Sequence, residues 1–181
     1  MNDKIDLDLY SIIYEKTGMG YSSYSKVLPG CTSSGFTKSE CENHMRDAIK
    51  LHLEGLRADG VEVKIDPRGN VFWHNKFGLH RDNDLPAIEW KDGIRKEWFK
   101  NGKRHRVGGY ALIDIDGDKE WYRKGMLHRN NDLPAVEFSN GIKKWYKDGV
   151  KHRESGPAVI HTNGVGEFWI DGVRVQKEDK K

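Results

Sequence analysis

The segment Leu79-His80-Arg81-Asp82-Asn83-Asp84-Leu85-Pro86-Ala87-Ile88-Glu89-Trp90 decides the fold, because it returns as Leu127-His128-Arg129-Asn130-Asn131-Asp132-Leu133-Pro134-Ala135-Val136-Glu137-Phe138. A series of glycines marks the period, with spacings of 24, 24, 24 and 23 residues: Gly69, Gly93, Gly117, Gly141 and Gly164. A regular period of this size indicates stacked supersecondary units, each burying its core against its neighbours. Residues 1–68 take no part in the repeat, so the sequence predicts two regions with separate roles.

Charge differs between the two regions. Residues 1–68 carry 9 Lys and Arg against 11 Asp and Glu, whereas residues 69–181 carry 22 against 17. This mild basic excess is well short of the dense basic stripe of a dedicated nucleic-acid binder. No run of eighteen apolar residues and no signal-peptide pattern is present, so the expected compartment is the cytoplasm, with no membrane partner.

The residue types needed for catalysis do not form a recognisable set. No nucleophile–base pair, metal cluster or phosphate-binding loop stands out, so we expect no enzyme activity, no cofactor and no metal. Asp6 and Asp8 share one face of a predicted strand, but a two-metal nuclease needs further converging carboxylates. Cys31 and Cys41 match neither a disulfide framework nor a zinc site, which predicts two reduced packing residues.

The first region predicts a β-β-β-α-β unit. Apolar alternation favours strands over residues 5–14, 21–28 and 31–34. Thr37 and Glu40 have the capping-box spacing, and a helical apolar stripe follows until Asp59-Gly60. Residues 61–65 alternate again and are expected to return to the edge of the sheet.

Several motifs of this region resemble the HicB antitoxin domain over about residues 8–60. The resemblance rests on Leu28-Pro29-Gly30-Cys31-Thr32, Gly35-Phe36-Thr37 and the helix that follows. It implies a partial RNase H-like fold and a partner such as a HicA-type ribonuclease toxin. The DNA-binding segment usual in that family is absent and repeats replace it, and Val27 stands where many members carry aspartate.

Each repeat predicts a β-hairpin. Aromatic pairs such as Trp98-Phe99 and Trp145-Tyr146 supply bulky strand residues, and Asn101-Gly102 or Asp148-Gly149 favours a tight turn. We therefore expect an α+β protein: the small β-β-β-α-β head, then an elongated antiparallel sheet of four to five hairpin repeats. The predicted boundaries are 1–66 for the head, 67–175 for the repeats and 176–181 for a disordered charged tail.

The repeats resemble MORN-like repeats, with Lys144-Trp145-Tyr146-Lys147-Asp148-Gly149-Val150-Lys151-His152-Arg153-Glu154-Ser155-Gly156-Pro157-Ala158 as the closest copy. Repeats of this kind resemble those of YwqK-type antitoxins and are common in bacteriophage proteins. If the chain is phage-encoded, its compartment is the host cytoplasm.

A ladder of four His-Arg pairs is the main candidate for binding: His80-Arg81, His105-Arg106, His128-Arg129 and His152-Arg153. The guanidinium groups of Arg81, Arg106, Arg129 and Arg153 could bind phosphates or acidic side chains. Alternatively, each pair maintains its own hairpin: the His bonds a neighbouring turn and the Arg bridges acids such as Asp82, Asp132 or Glu154.

Three tyrosines complete the candidate partner-binding residues. Val107-Gly108-Gly109-Tyr110 replaces the Asn-Asp-Leu-Pro pattern and predicts a flexible loop with an exposed Tyr110. Tyr21 and Tyr24 lie on the second predicted strand of the head.

The leading functional hypothesis is a non-catalytic inhibitor, antitoxin-like or directed against a defence system, which blocks a toxin or nuclease by steric occlusion. One alternative is a nucleic-acid-binding module that uses the His-Arg ladder and loses affinity steeply with salt. Another is a structural protein that forms a homodimer or larger assembly through the edge strands of its sheet.

Overall fold

A computed structural model describes residues 5–176, which divide into two compact units: the first ends at Lys76 and the second begins at Phe77. The α+β class is confirmed, with a β-β-β-α head and a long antiparallel sheet. Separate folding of residues 1–66 and 67–175 stays a prediction. Of the predicted disordered tail at 176–181, residues 177–181 lie outside the described part of the chain.

The first unit opens with a 3-10 turn over Leu7–Tyr10. The elements that follow are β1 (Ile12–Thr17), β2 (Gly20–Ser25), β3 (Thr32–Gly35), α1 (Lys38–Ala58), β4 (Glu62–Ile65) and β5 (Val71–Asn75). β1, β2 and β3 form an antiparallel sheet in that order, and β4 pairs with β5.

Helix α1 forms where the capping box predicted it. Thr37 is the N-cap and its hydroxyl accepts the Glu40 N–H at 3.1 Å, while the Glu40 carboxylate accepts the Phe36 N–H at 2.9 Å. Cys41, Met45 and Ile49 recur every four residues and are fully buried, because this spacing places them on one face of the helix. The two cysteines are free and buried, as predicted.

Two expectations for the head are wrong. Residues 5–10 are not a strand, because the Asp6 side chain accepts the Asp8 N–H at 3.1 Å and caps the 3-10 turn instead. Asp6 and Asp8 therefore do not share a strand face. The strand after the helix exists, but β4 does not return to the sheet of β1, β2 and β3; it pairs with β5, with Val63 opposite Trp73.

The second unit consists of short strands: β6 (Gly78–Leu79), β7 (Ile88–Glu89), β8 (Lys96–Glu97), β9 (Phe99–Lys100), β10 (Lys103–Arg104), β11 (Leu112–Ile113), β12 (Lys119–Glu120), β13 (Tyr122–Arg123), β14 (Met126–Leu127), β15 (Val136–Glu137), β16 (Lys143–Lys144), β17 (Tyr146–Lys147), β18 (Val150–Lys151), β19 (Val159–Ile160), β20 (Gly166–Ile170) and β21 (Val173–Val175). A long antiparallel sheet runs through this unit in the order β7-β8-β11-β12-β15-β16-β19-β20-β21. The hairpins β9–β10, β13–β14 and β17–β18 are separate two-stranded ladders.

A tryptophan marks the point where each chain segment leaves the long sheet for its hairpin. The Trp145 N–H donates to the Ala158 carbonyl at 2.8 Å, and its own carbonyl accepts the His152 N–H at 3.2 Å. Trp98 and Trp121 make the equivalent pair of bonds. The repeats that begin at Gly93, Gly117 and Gly141 thus each supply two strands to the sheet and one hairpin beside it, a division that hydrophobic alternation alone did not predict.

Candidate functional site

The four histidines of the ladder bind the turn of the next repeat. Each Nδ1 accepts a backbone N–H at 3.1–3.2 Å, and the donors are Asn101, Lys124, Asp148 and Asp171. An Nδ1 that accepts a hydrogen bond leaves Nε2 of the same ring as the donor. Nε2 of His80 and of His128 lies 3.1 and 2.8 Å from a side-chain oxygen of Asp82 and Asn130, respectively.

Carboxylates also lie beside two of these rings. Oδ1 of Asp148 is 3.2 Å from Nδ1 of His128, and Oδ1 of Asp171 is 2.8 Å from Nδ1 of His152. In both cases the backbone N–H and the carboxylate of the same aspartate lie against one ring nitrogen. The ring of His105 instead has two lysines nearby: burial and then the positive charges of Lys100 and Lys124 lower its pKa below 6.5.

The four arginines share one orientation. Nη1 of each donates to the carbonyl of the residue that precedes the recurring alanine of the repeat. The distances are 3.1–3.4 Å, and the acceptors are Pro86, Tyr110, Pro134 and Pro157. The guanidinium carbons of Arg106, Arg129 and Arg153 also lie 4.0, 3.7 and 4.0 Å from the ring centroids of Trp98, Trp121 and Trp145, respectively. These two contacts fix the plane and the direction of the guanidinium group.

The carboxylate partners of the arginines alternate along the array. Arg81 and Arg129 bond Glu89 and Glu137 of the same repeat, with 2.7 Å from Arg129 to Glu137.

Arg106 and Arg153 instead reach back to the preceding repeat. Each binds one aspartate through both Nε and Nη2: Arg106 binds Asp84 at 2.9 and 2.7 Å, and Arg153 binds Asp132 at 2.9 Å through each nitrogen. The interpretation that the pairs maintain the repeat therefore has direct support, while partner binding by these arginines stays a prediction.

Three grooves separate successive His-Arg loops. The first lies between the loops of Arg81 and Arg106, the middle one between those of Arg106 and Arg129, and the last between those of Arg129 and Arg153. Their volumes are about 230, 440 and 380 Å³. Two acidic side chains line the first groove and two line the last, whereas no Asp or Glu in the described part of the chain lines the middle groove.

Tyr110 lies in the middle repeat, but it is half-buried and not exposed as expected. Its ring meets Trp98 and Trp121 edge-on, with centroid distances of 5.5 and 6.0 Å. It takes the position that proline holds in the neighbouring repeats, so its ring fills the space between two tryptophans. The exposed residues of this loop are Val107 and Gly108.

The structure does not bring the two tyrosines of the head together. Tyr21 and Tyr24 lie three residues apart on β2, so they point to opposite faces of the sheet. Tyr21 is half-buried on the face of Ser23 and Ser25, and Tyr24 is exposed.

Asp132 was among the acids predicted to bridge the arginines, and its bonds to Arg153 confirm this. The other acids that complete the ladder, Glu89, Glu137 and Asp84, were not predicted from the sequence. Glu89 and Glu137 follow their arginines by eight residues, and Asp84 and Asp132 precede theirs by about one repeat. The signal was present in the 48-residue return of the Asn-Asp-Leu-Pro pattern, because an acid recurs with it at fixed register. Asp82 and Glu154, which were expected to bridge arginines, lie 3.1 and 3.3 Å from Nε2 of His80 and His152.

The polar chemistry of the array serves mainly to join its repeats. Within one repeat, burial and then the Glu120 carboxylate, which accepts a hydrogen bond from the Tyr122 hydroxyl at 2.7 Å, raise the pKa of Tyr122 to about 12. Among residues 5–176, no group of three or more His, Cys, Asp or Glu side chains is placed to hold a metal ion. In the same part of the chain, no helix is both long and apolar enough to cross a membrane.

Comparison with known proteins gives one phage relative. The chain is 39% identical over 62 residues to an uncharacterised 14.9 kDa protein encoded in the rep-hol intergenic region of Haemophilus phage HP1. The match covers 34% of this chain and 44% of that protein, so it spans less than half of each. No protein-family model matches the chain, and no solved structure matches it.

Proposed function

We propose that this protein is a non-catalytic inhibitor, antitoxin-like or directed against a defence system, which binds a toxin or nuclease and occludes its active site. The observation that carries the proposal is that the histidine and arginine side chains of the ladder bind other groups of the same chain. The ladder histidines accept backbone N–H groups and the ladder arginines bind carboxylates, so these groups build a scaffold. Between them, the scaffold presents open grooves lined by arginine and aromatic residues, which are enriched at protein interfaces.

The head adds a second line of support. Its β-β-β-α order and the Leu28-Pro29-Gly30-Cys31 turn are those of the HicB resemblance, in which such domains neutralise HicA-type ribonucleases. The repeat resemblance to MORN-like and YwqK-type proteins, together with the similarity to a phage protein, favours a role in the host cytoplasm against a host defence nuclease.

Nucleic-acid binding is the main competing hypothesis. Its proposed phosphate ligands are the ladder arginines, yet the Nε–Nη2 edges of Arg106 and Arg153 are each bound to an aspartate within the protein. An internal carboxylate neutralises the charge that would attract phosphate. This favours a protein partner.

An inhibition assay at two substrate concentrations separates the two hypotheses. A host nuclease captured on the full chain is purified and titrated with the chain, first at one nucleic-acid concentration and then at ten times that concentration. An occluding inhibitor that binds the enzyme much more tightly than the substrate does abolishes cleavage near equimolar ratio to the enzyme at both concentrations. If the chain instead sequesters nucleic acid, the added substrate would relieve the inhibition. This result would overturn the proposal.

A further inference from the structure

The middle groove contains Arg129, whose Nε–Nη2 edge is open. The same edge of Arg106 and of Arg153 is bound to an aspartate. Arg106 and Arg153 use Nη1 for a carbonyl and the Nε–Nη2 edge for an aspartate. Arg129 uses Nη1 for both the Pro134 carbonyl and Glu137, at 3.1 and 2.7 Å. Within residues 5–176, its Nε and Nη2 make no hydrogen bond, and its side chain is 23% exposed.

Repeat register explains why this edge is open. Asp84 and Asp132 each stand two residues before the residue whose carbonyl accepts the arginine Nη1, and both have left-handed backbone conformations, with φ of 55° and 53°. The residue two before Tyr110 is Gly108, which has the same hand, with φ of 80°. Arg129 therefore faces a glycine at the position where Arg106 and Arg153 face an aspartate.

The surroundings of the edge suit an anion. The groove holds about 440 Å³ and is lined by His105, Arg106, Arg123 and His128 as well as Arg129, and no Asp or Glu of residues 5–176 lines it. Arg123 is bound to Asp148 at 2.6 Å, so it adds little free charge. The Trp121 ring, 3.7 Å from the guanidinium carbon, holds the donor edge in a fixed plane.

We propose that the Nε–Nη2 edge of Arg129 binds the side-chain carboxylate of an Asp or Glu on an exposed loop of a protein partner. The carboxylate would take the position that Asp84 and Asp132 occupy in the neighbouring grooves, where the same edge binds in bidentate fashion over 2.7–2.9 Å. A planar two-donor edge matches a carboxylate more closely than an isolated charge does. The exposed apolar side chains of Val107 and Leu133 line the same groove and would contact the flanking partner residues. The assignment rests on the proposed function only in taking the carboxylate from a protein.

Gly108 provides a test that leaves Arg129 intact. An added Cβ at Gly108 meets nothing within 4 Å, and both Asp and Asn tolerate the left-handed backbone. Gly108→Asp restores the internal carboxylate and should fill the site, whereas Gly108→Asn has the same shape without the charge. Both variants are compared with the parent chain, and their Nε–Hε spectra verify that the fold is retained.

The probe is the peptide acetyl-Asn-Asp-Leu-Pro-amide, with acetyl-Asn-Asn-Leu-Pro-amide as its uncharged control, followed by NMR of the arginine Nε–Hε signals in the full chain. We expect the acidic peptide to shift the Arg129 signal and to leave those of Arg106 and Arg153 in place. Gly108→Asp should weaken binding about 10- to 100-fold, the value of one charged hydrogen-bonded pair, while Gly108→Asn retains it.

Three results would overturn the assignment: no shift at Arg129, equal shifts at all three arginines, or binding that Gly108→Asp does not weaken. A single-stranded oligonucleotide that shifts Arg129 where the peptide does not would also overturn it, in favour of phosphate. The peptide experiment needs no nuclease, so it can succeed when the inhibition assay fails. In that case the carboxylate site stands and the inhibitor function falls.

Discussion

The charged residues of the ladder include pairs that join one repeat to the next. The pair between Asp84 and Arg106 spans 22 residues of sequence, and the bond from Arg106 holds the pKa of Asp84 below 3.8. Because Asp84 is 56% exposed, we expect a coupling of about 0.5–1 kcal/mol. A double-mutant cycle with Asp84→Asn and Arg106→Gln, followed by urea unfolding, measures it; additive losses would contradict the role given to the pair.

The sign of the pH dependence follows from the same pKa. A carboxyl with a depressed folded-state pKa stabilises the fold fully above its unfolded value, and this stabilisation is lost as pH falls through the folded pKa. The Asp84–Arg106 coupling should therefore be present at pH 7 and vanish at strongly acidic pH, where Asp84 is protonated. Arg106→Gln should return the pKa of Asp84, measured by NMR, towards 3.8.

His105 predicts a second pH effect, closer to neutrality. Its Nδ1 accepts the Lys124 N–H at 3.2 Å, and burial followed by the charges of Lys100 and Lys124 lowers its pKa below 6.5. Its contribution to stability is complete above pH 6.5 and is lost as pH falls from there to the folded-state pKa. NMR titration of the ring should give a pKa below 6.5. A pKa at or above 6.5 would contradict the loss of stability expected at acidic pH.

Residue chemistry was only partly readable from the sequence. The bond from each histidine to a neighbouring turn was one of two interpretations of the ladder, because a residue that recurs once per repeat meets a copy of the same turn. Of the carboxylate partners of the arginines, only Asp132 was among the predicted acids. Asp84 lies 22 residues from Arg106, and Glu137 lies eight from Arg129. Both separations depend on which residues enter the long sheet and which form the hairpin after the tryptophan.

At the scale of elements, two glycines predict opposite effects of the same substitution. Gly149 has φ of 91° in the β17–β18 turn, and an added Cβ would make only ordinary contact with Met126. Gly149→Ala should therefore lower the free energy of unfolding by about 1–2 kcal/mol through backbone strain alone.

Gly55 lies in α1 with open space around its Cα and is the matched control. Gly55→Ala should raise the free energy of unfolding by about 0.5–1 kcal/mol, because alanine loses less backbone entropy in a helix. Urea unfolding of the two variants decides the matter. A neutral effect of Gly149→Ala would mean that the turn does not require its left-handed residue.

Element prediction succeeded where side-chain chemistry is local. Thr37 and Glu40 predicted the start of α1, and the Gly-containing dipeptides predicted the hairpin turns. It failed at residues 5–10, where alternating Ile, Leu and Asp suggested a strand. There the Asp6 side chain bonds the backbone two residues on and favours a 3-10 turn over the sheet.

At the scale of the whole molecule, the array behaves as a row of interchangeable repeats with one exception. Deleting residues 93–116 removes the repeat that contains Gly108 and brings Arg129 into register with Asp84. Deleting residues 117–140 removes the same length but leaves Gly108 facing Arg153. Because stability in repeat arrays is carried by neighbouring contacts, both shortened chains should fold.

The two deletions should differ in their binding. The chain lacking 93–116 should lose affinity for the acidic peptide, whereas the chain lacking 117–140 should retain it, with the shifted Nε–Hε signal now at Arg153. Circular dichroism verifies folding, and the NMR titration measures binding. Equal affinities would show that the open arginine edge is not what the peptide recognises.

Affinity capture with three full-length baits tests the central claim most directly: the parent chain, Gly108→Asp and Gly108→Asn, each exposed to nuclease-treated bacterial lysate and quantified by mass spectrometry. The account predicts one stoichiometric protein, retained by the parent and by Gly108→Asn, depleted about tenfold or more by Gly108→Asp, and inhibited by the parent chain in a cleavage assay. A partner captured equally by all three baits would contradict it. Recovery of nucleic acid alone in a parallel capture from untreated lysate would also contradict it.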